Sequence, residues 1–76
     1  MKRWRLPKKI HLPGWVIRIE IGDTPGLDAE WAYNVETGGG VIRLRPGLTK
    51  AQQKYTLSHE LLHAAVDYHH AMLPPI

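Results

Sequence analysis

The sequence predicts an α+β fold: about three mostly antiparallel strands packed on one long C-terminal helix. Three observations carry that expectation. Residues 15–21, WVIRIEI, place Trp15, Ile17, Ile19 and Ile21 on one face and Arg18 and Glu20 on the other, the period-two pattern of a half-buried strand. Residues 31–35 (WAYNV) and 41–45 (VIRLR) flank the turn ETGGG, which reads as a hairpin with Ile42 and Leu44 inward. No proline or glycine interrupts residues 48–73, so nothing in that stretch opposes a helix.

The elements follow in order. Pro7 and Pro13-Gly14 punctuate a leading segment and release the chain into the first strand. Residues 22–30, GDTPGLDAE, are rich in turn formers and form a loop. The three glycines at 38–40 tolerate positive φ but specify strand register weakly. Pro46-Gly47 ends the hairpin. Thr49-Lys50-Ala51-Gln52 then has capping-box form, with Thr49 as N-cap and Gln52 reaching back to it. The spacing predicts a helix from about residue 50 to 67 or 68.

At 76 residues the chain forms one domain at most, divided here into a basic N-terminal arm (1–14) and a domain spanning 15–76. A core of this size is marginal, and natural examples often add a staple such as a metal. With no cysteine, disulfides and thiolate zinc sites are excluded. No apolar run approaches the ~20 residues of a membrane span, and the basic start lacks the apolar segment of a signal peptide. The expectation is a soluble, cytoplasmic protein without a membrane partner. Five positive charges, Lys2, Arg3, Arg5, Lys8 and Lys9, crowd the first nine residues with no acid among them. Such an arm suits phosphates, and so nucleic acid, or serves as a solvated terminus. Trp4 within it suits stacking on a base, or pinning the arm to the body.

The chemistry concentrates in residues 58–70, SHELLHAAVDYHH. At about 100° per residue, His63 falls about 40° round from His59 and about 6 Å along the axis, so both imidazoles reach one ion. Zinc takes nitrogen ligands at ~2.0–2.1 Å in a tetrahedral set, and this pair supplies two. Glu60 falls about 100° round, beside the ion and too far to share it, where a carboxylate takes a proton from metal-bound water. His59-Glu60-Leu61-Leu62-His63 is thus the H-E-x-x-H arrangement. The alternative is a solvent-facing histidine pair with Glu60 as a surface acid.

A catalytic zinc takes three protein ligands and a water. His69 is the leading third ligand. It points away, near 280°, if the helix continues, and ligates only if the helix stops near Val66–Tyr68 and folds back. Asp67, about 12 Å along the axis from His59, and His70, near 20° but further out, come next. A side chain from a second subunit follows. Asp67 also suits orienting a ligand imidazole. Tyr68, His70 and Arg43 are candidates for stabilising an oxyanion. The helix is apolar nearly all round: Leu62, Val66 and Tyr55 flank the metal side, and Leu57, Leu61, Ala64 and Tyr68 line the back. One small sheet cannot cover both, so a homodimer, or packing of the arm and the Leu-Pro-Pro-Ile tail, is expected.

From Tyr33 to His63 the chain resembles the zincin metallopeptidases, in particular small ImmA/IrrE-type proteins of phages and mobile elements. The resembling stretch is GGGVIRLRPGLTKAQQKYTLSHELLH, under half the chain. The resemblance implies a minimal zincin-like fold, Zn2+ at His59 and His63, Glu60 as general base, and proteolysis of a peptide or protein substrate. HELLHAAVDYH is similar to the H-E-x-x-H-x5-H spacing of SprT/YgjP-like proteases, some of which act on DNA-bound proteins, and this supports His69. The competing expectation is a regulatory or nucleic-acid-binding module with a structural metal. An exposed strand edge, with VIRLR the candidate, would hold the peptide as an added strand.

Overall fold

A computed structural model describes residues 4–73. Lys2 and Arg3 of the basic arm, and Pro74, Pro75 and Ile76 of the tail, lie outside the described residues. The element order is β1 (Lys9–Leu12), β2 (Trp15–Ile21), β3 (Ala29–Asn34), β4 (Gly39–Leu44) and α1 (Lys50–Met72). The α+β class holds, with two corrections to the sheet. It has four strands in the order β1-β2-β4-β3, and it is mixed, because β2 and β4 run parallel in its centre. The hairpin β3–β4 is antiparallel, pairing Ala29 with Leu44 and Asn34 with Gly39.

The extra strand, β1, lies in the segment read as an arm. Lys9–Leu12 pairs antiparallel with β2, Ile10 opposite Ile17 and Leu12 opposite Trp15. Pro13-Gly14 makes the connection, with Gly14 at φ 77°. Ile10 and Leu12 turn to the helix side, where they pack on the core with Trp4 and Leu6. The Lys54 ammonium lies 5.6 Å from the centre of the Trp4 ring, a cation–π contact. Trp4 therefore ties the leading segment to the body. Arg5, Lys8 and Lys9 remain exposed.

One face of the sheet packs on α1. The core comprises Ile17 and Ile19 of β2, Ile42 and Leu44 of β4, Leu48 before the helix, and Leu57 and Ala64 on it. Trp15 is buried beside them, its ring 5.0 Å from Tyr33 and 5.1 Å from Tyr68. The Tyr68 hydroxyl donates to the Pro13 carbonyl at 3.1 Å, so the late turns of the helix are tied to the β1–β2 turn. Ile21, on the apolar face of the 15–21 pattern, is 49% exposed at the last position of β2. On the other face of the sheet Arg43 donates to Glu20 at 2.7 Å and to Glu30 at 3.2 Å, linking three strands. These carboxylates raise the Arg43 pKa, Glu20 most strongly.

The helix begins as read. Thr49 Oγ1 accepts from the Gln52 amide at 3.1 Å and Gln52 Oε1 accepts from the Thr49 amide at 2.9 Å, which closes a reciprocal capping box. It ends later than read, at Met72, with Leu73 as C-cap. Pro74 is the next residue that opposes a helix. Among the described residues, no helix is long and apolar enough to cross a membrane.

Candidate metal centre

His59 and His63 occupy successive turns of α1, and both side chains are exposed. Their Nε2 atoms converge to 3.2 Å, with the rings 4.9 Å apart and nearly perpendicular. Two nitrogens bound to one zinc at ~2.0–2.1 Å with tetrahedral angles stand ~3.3 Å apart. The observed separation is close to that edge, so the pair could hold a single ion. The same distance suits an N–H···N hydrogen bond between the rings in the matching tautomer.

Glu60 points elsewhere. It is 9% exposed, buried between the helix and the segment that leads into β3. Its carboxylate nonetheless offers an oxygen in a group with His59 and His63 whose donor atoms all lie within 4.8 Å of one another. Among the described residues no other histidine, aspartate, glutamate or cysteine joins this group. The geometry therefore gives two exposed nitrogens and one buried carboxylate, on adjacent faces of one helix.

A shallow groove runs along the inner flank of the site, between α1 and β3. Leu27 and Ala29 form one wall; Glu60, His63, Val66 and Asp67 form the other. A four-residue turn builds the near wall. The Leu27 amide donates to the Thr24 carbonyl at 2.8 Å and the Thr24 hydroxyl to the Leu27 carbonyl at 2.6 Å. Pro25 and Gly26 occupy the central positions, Gly26 at φ 74°, as a type II turn requires. This turn carries Leu27, 54% exposed, to the rim of the groove. β3 is an edge strand, so one row of its backbone amides and carbonyls is open. VIRLR is not an edge: β4 lies between β2 and β3, because β3 passes to the outside of the parallel pair.

The expected third ligand is not brought to the centre. The helix runs unbroken through Val66 and Tyr68 to Met72, and β-branched Val66 shows no reversal. His69 is ten residues beyond His59, about 15 Å along a straight axis and on its outer side. His70 continues in the same helix, about 16 Å along the axis from His59. Asp67 also stays out of the cluster; its Oδ2 accepts from the Trp31 indole N–H at 2.7 Å. That bond ties helix to edge strand at one end of the groove. Of the oxyanion candidates, Arg43 is on the opposite face of the sheet with Glu20 and Glu30, and Tyr68 is bonded to Pro13.

Leu27, Ala29, Glu30 and Trp31 line the groove and were not assigned to the site by sequence reasoning. The signal for Trp31 was adjacent: Gly40 pairs with its strand neighbour Tyr33, and a Cβ on Gly40 would come within 2.6 Å of the Trp31 ring. The same Cβ would meet the Ala32 carbonyl oxygen still more closely, so Gly40 leaves room for both the β3 backbone and the indole.

Comparison with known proteins gives no match: no family model, no characterised protein and no solved structure is similar to this chain by the criteria applied.

Proposed function

We propose that the protein is a zinc-dependent peptidase. The observation that carries this reading is the convergence of His59 and His63 Nε2 at 3.2 Å beside the Glu60 carboxylate, at a groove whose Leu27–Ala29 wall leads into an open strand edge. A zinc ion held by the two imidazoles would supply Lewis acidity toward a carbonyl and acidify a water. Glu60 takes the proton from the attacking water and passes it to the departing amine. It lines the groove beside His63. The free edge of β3 suits a peptide laid down as an added strand, with Leu27 at the rim to contact an apolar side chain. The histidine pair within H-E-x-x-H, the preceding strand–loop–helix order and the capped helix are consistent with the zincin resemblance.

Purified protein is tested for zinc by elemental analysis and for cleavage of a casein or peptide library. Glu60→Gln is expected to retain zinc and lose cleavage by about 100- to 10,000-fold. Cleavage by this variant at the wild-type rate would remove Glu60 from the chemistry.

A second reading is a metal-stapled, non-catalytic module that binds nucleic acid. The exposure of Arg5, Lys8, Lys9 and Arg18 on the β1 side favours it. Binding would then fall steeply with salt and weaken on deletion of residues 1–9.

A further inference from the structure

We propose that α1 pairs antiparallel with a second copy of the chain, and that His69 of the partner subunit completes the metal site begun by His59 and His63. The inference rests on the zinc reading above and adds the missing ligand to it.

The outer face of α1 carries the first observation. Tyr55, His59, Leu62, Val66, His69 and Leu73 are all exposed, although four of the six are large and apolar. Tyr55 is 74% exposed, Leu62 68%, Val66 55% and Leu73 53%. Their spacings alternate four, three, four, three, four, which is the a/d repeat of a helix–helix seam. The residues buried against the sheet, Leu57 and Ala64, occupy the f positions of the same repeat, directly opposite. The helix thus has one apolar side for its own sheet and a second, regularly spaced apolar side that the described residues leave exposed. The positions flanking the seam include Ser58, His63, Ala65 and Met72. None is acidic, lysine or arginine, so a second copy meets no like-charge repulsion there.

The second observation is arithmetic. In an antiparallel pair an a residue faces a d residue of the other helix. A two-fold axis near Ala64 sets Leu62 opposite Val66 of the partner subunit and Tyr55 opposite Leu73 of the partner subunit. The same axis sets His59 opposite His69 of the partner subunit. Every apolar seam residue meets an apolar one, and the only polar layers are histidine on histidine. The residue that its own helix holds about 15 Å from the centre is thereby returned to it, twice per dimer. Antiparallel pairing also separates the two helix N-termini, whose first turns hold Lys50 and no acid.

The seam is under three heptads long and two of its six residues are histidine, so apolar packing alone is short of a stable coiled coil. The pairing is therefore zinc-dependent. Three nitrogens per ion leave the fourth position open for water, as a hydrolytic site needs.

The test measures mass by light scattering and metal content on the full chain, with and without one equivalent of zinc. Wild type is expected to shift from 8.7 kDa to twice that mass on adding zinc. His69→Ala, an exposed position, is expected to stay monomeric and to bind zinc at least roughly 100-fold more weakly, since even outer partners of a ligand are worth 10–100-fold. Leu62→Glu is expected to give the same monomer. Mixing His69→Ala with the double variant His59→Ala/His63→Ala restores one complete site per heterodimer, and with it tight binding of one zinc per two chains. Cobalt substituted for zinc reads the coordination directly by its visible absorption. Wild type that binds zinc tightly as a monomer, or a His69→Ala variant with unchanged affinity, overturns the pairing and leaves the peptidase reading standing. Failure of wild type to bind zinc at all removes both.

Discussion

The two sides of α1 have the same composition in outline but opposite fates. Toward the sheet, Leu57 and Ala64 are buried among Ile17, Ile19, Ile42 and Leu44. Toward solvent, Tyr55, Leu62 and Val66 are more than half exposed. The difference is not hydrophobicity; Leu57 and Leu62 are the same residue on opposite faces of one helix. It is whether the described residues include an element to lay against that face, and a four-stranded sheet has only one inner side to offer. Residues that look equivalent in sequence therefore divide into those that stabilise the fold and those that are free to do something else. His59 lies on the outer face, His63 is exposed beside it, and Glu60 has crossed to the buried one.

The contrast can be broken or sharpened by four substitutions read by chemical denaturation without metal. Leu57→Ala should have the largest effect, a loss of about 2–5 kcal/mol, because it removes buried contacts and leaves a cavity. Trp31→Phe comes next. It strips the indole N–H from the Asp67 carboxylate and should cost about 1.5–3 kcal/mol, the range for a hydrogen bond to a charged group. Thr49→Ala removes a capping bond that serves both sides of the helix equally, and about 1 kcal/mol is expected. Leu62→Ala should change stability by no more than about 0.5 kcal/mol, as for an unpacked surface position. A Leu62→Ala loss comparable to that of Leu57→Ala would erase the distinction between the faces.

Much of this was legible in advance for local reasons. The alternation of Trp15, Ile17 and Ile19 declared β2, and Thr49 with Gln52 declared the start of the helix, down to the reciprocal bonds. H-E-x-x-H placed His59, Glu60 and His63 together because four residues make about one helical turn, so local spacing sufficed. What stayed hidden depends on partners distant in the chain. β1 is only KIHL, four residues inside a basic stretch, and its strand character comes from pairing with β2. Gly39 and Gly40 looked like turn and belong to β4, because the close approach of the Val16 backbone to Gly39, and of the Ala32 carbonyl and Trp31 ring to Gly40, appears only once β2 and β3 are folded beside it. The sequence predicts a helix ending at about residue 67 or 68, and His69 turns inward only on that condition, whereas α1 continues to Met72. The chain contains no residue that would stop it there.

The parallel alignment of β2 with β4 imposes an order of assembly. Asn34 meets Gly39 across a five-residue interval, whereas Val16 must find Gly39 across 23. The β3–β4 hairpin and the capped helix can form from neighbours alone, while β2 must close a much longer loop. The strand bearing Trp15, Ile17 and Ile19 is accordingly expected to dock after them, an order that φ-values at Ile17 against Ile42 would check. Until it does, the inner edge of Gly39–Leu44 stays unpaired, and at that moment the nascent molecule is most vulnerable to capture by another chain.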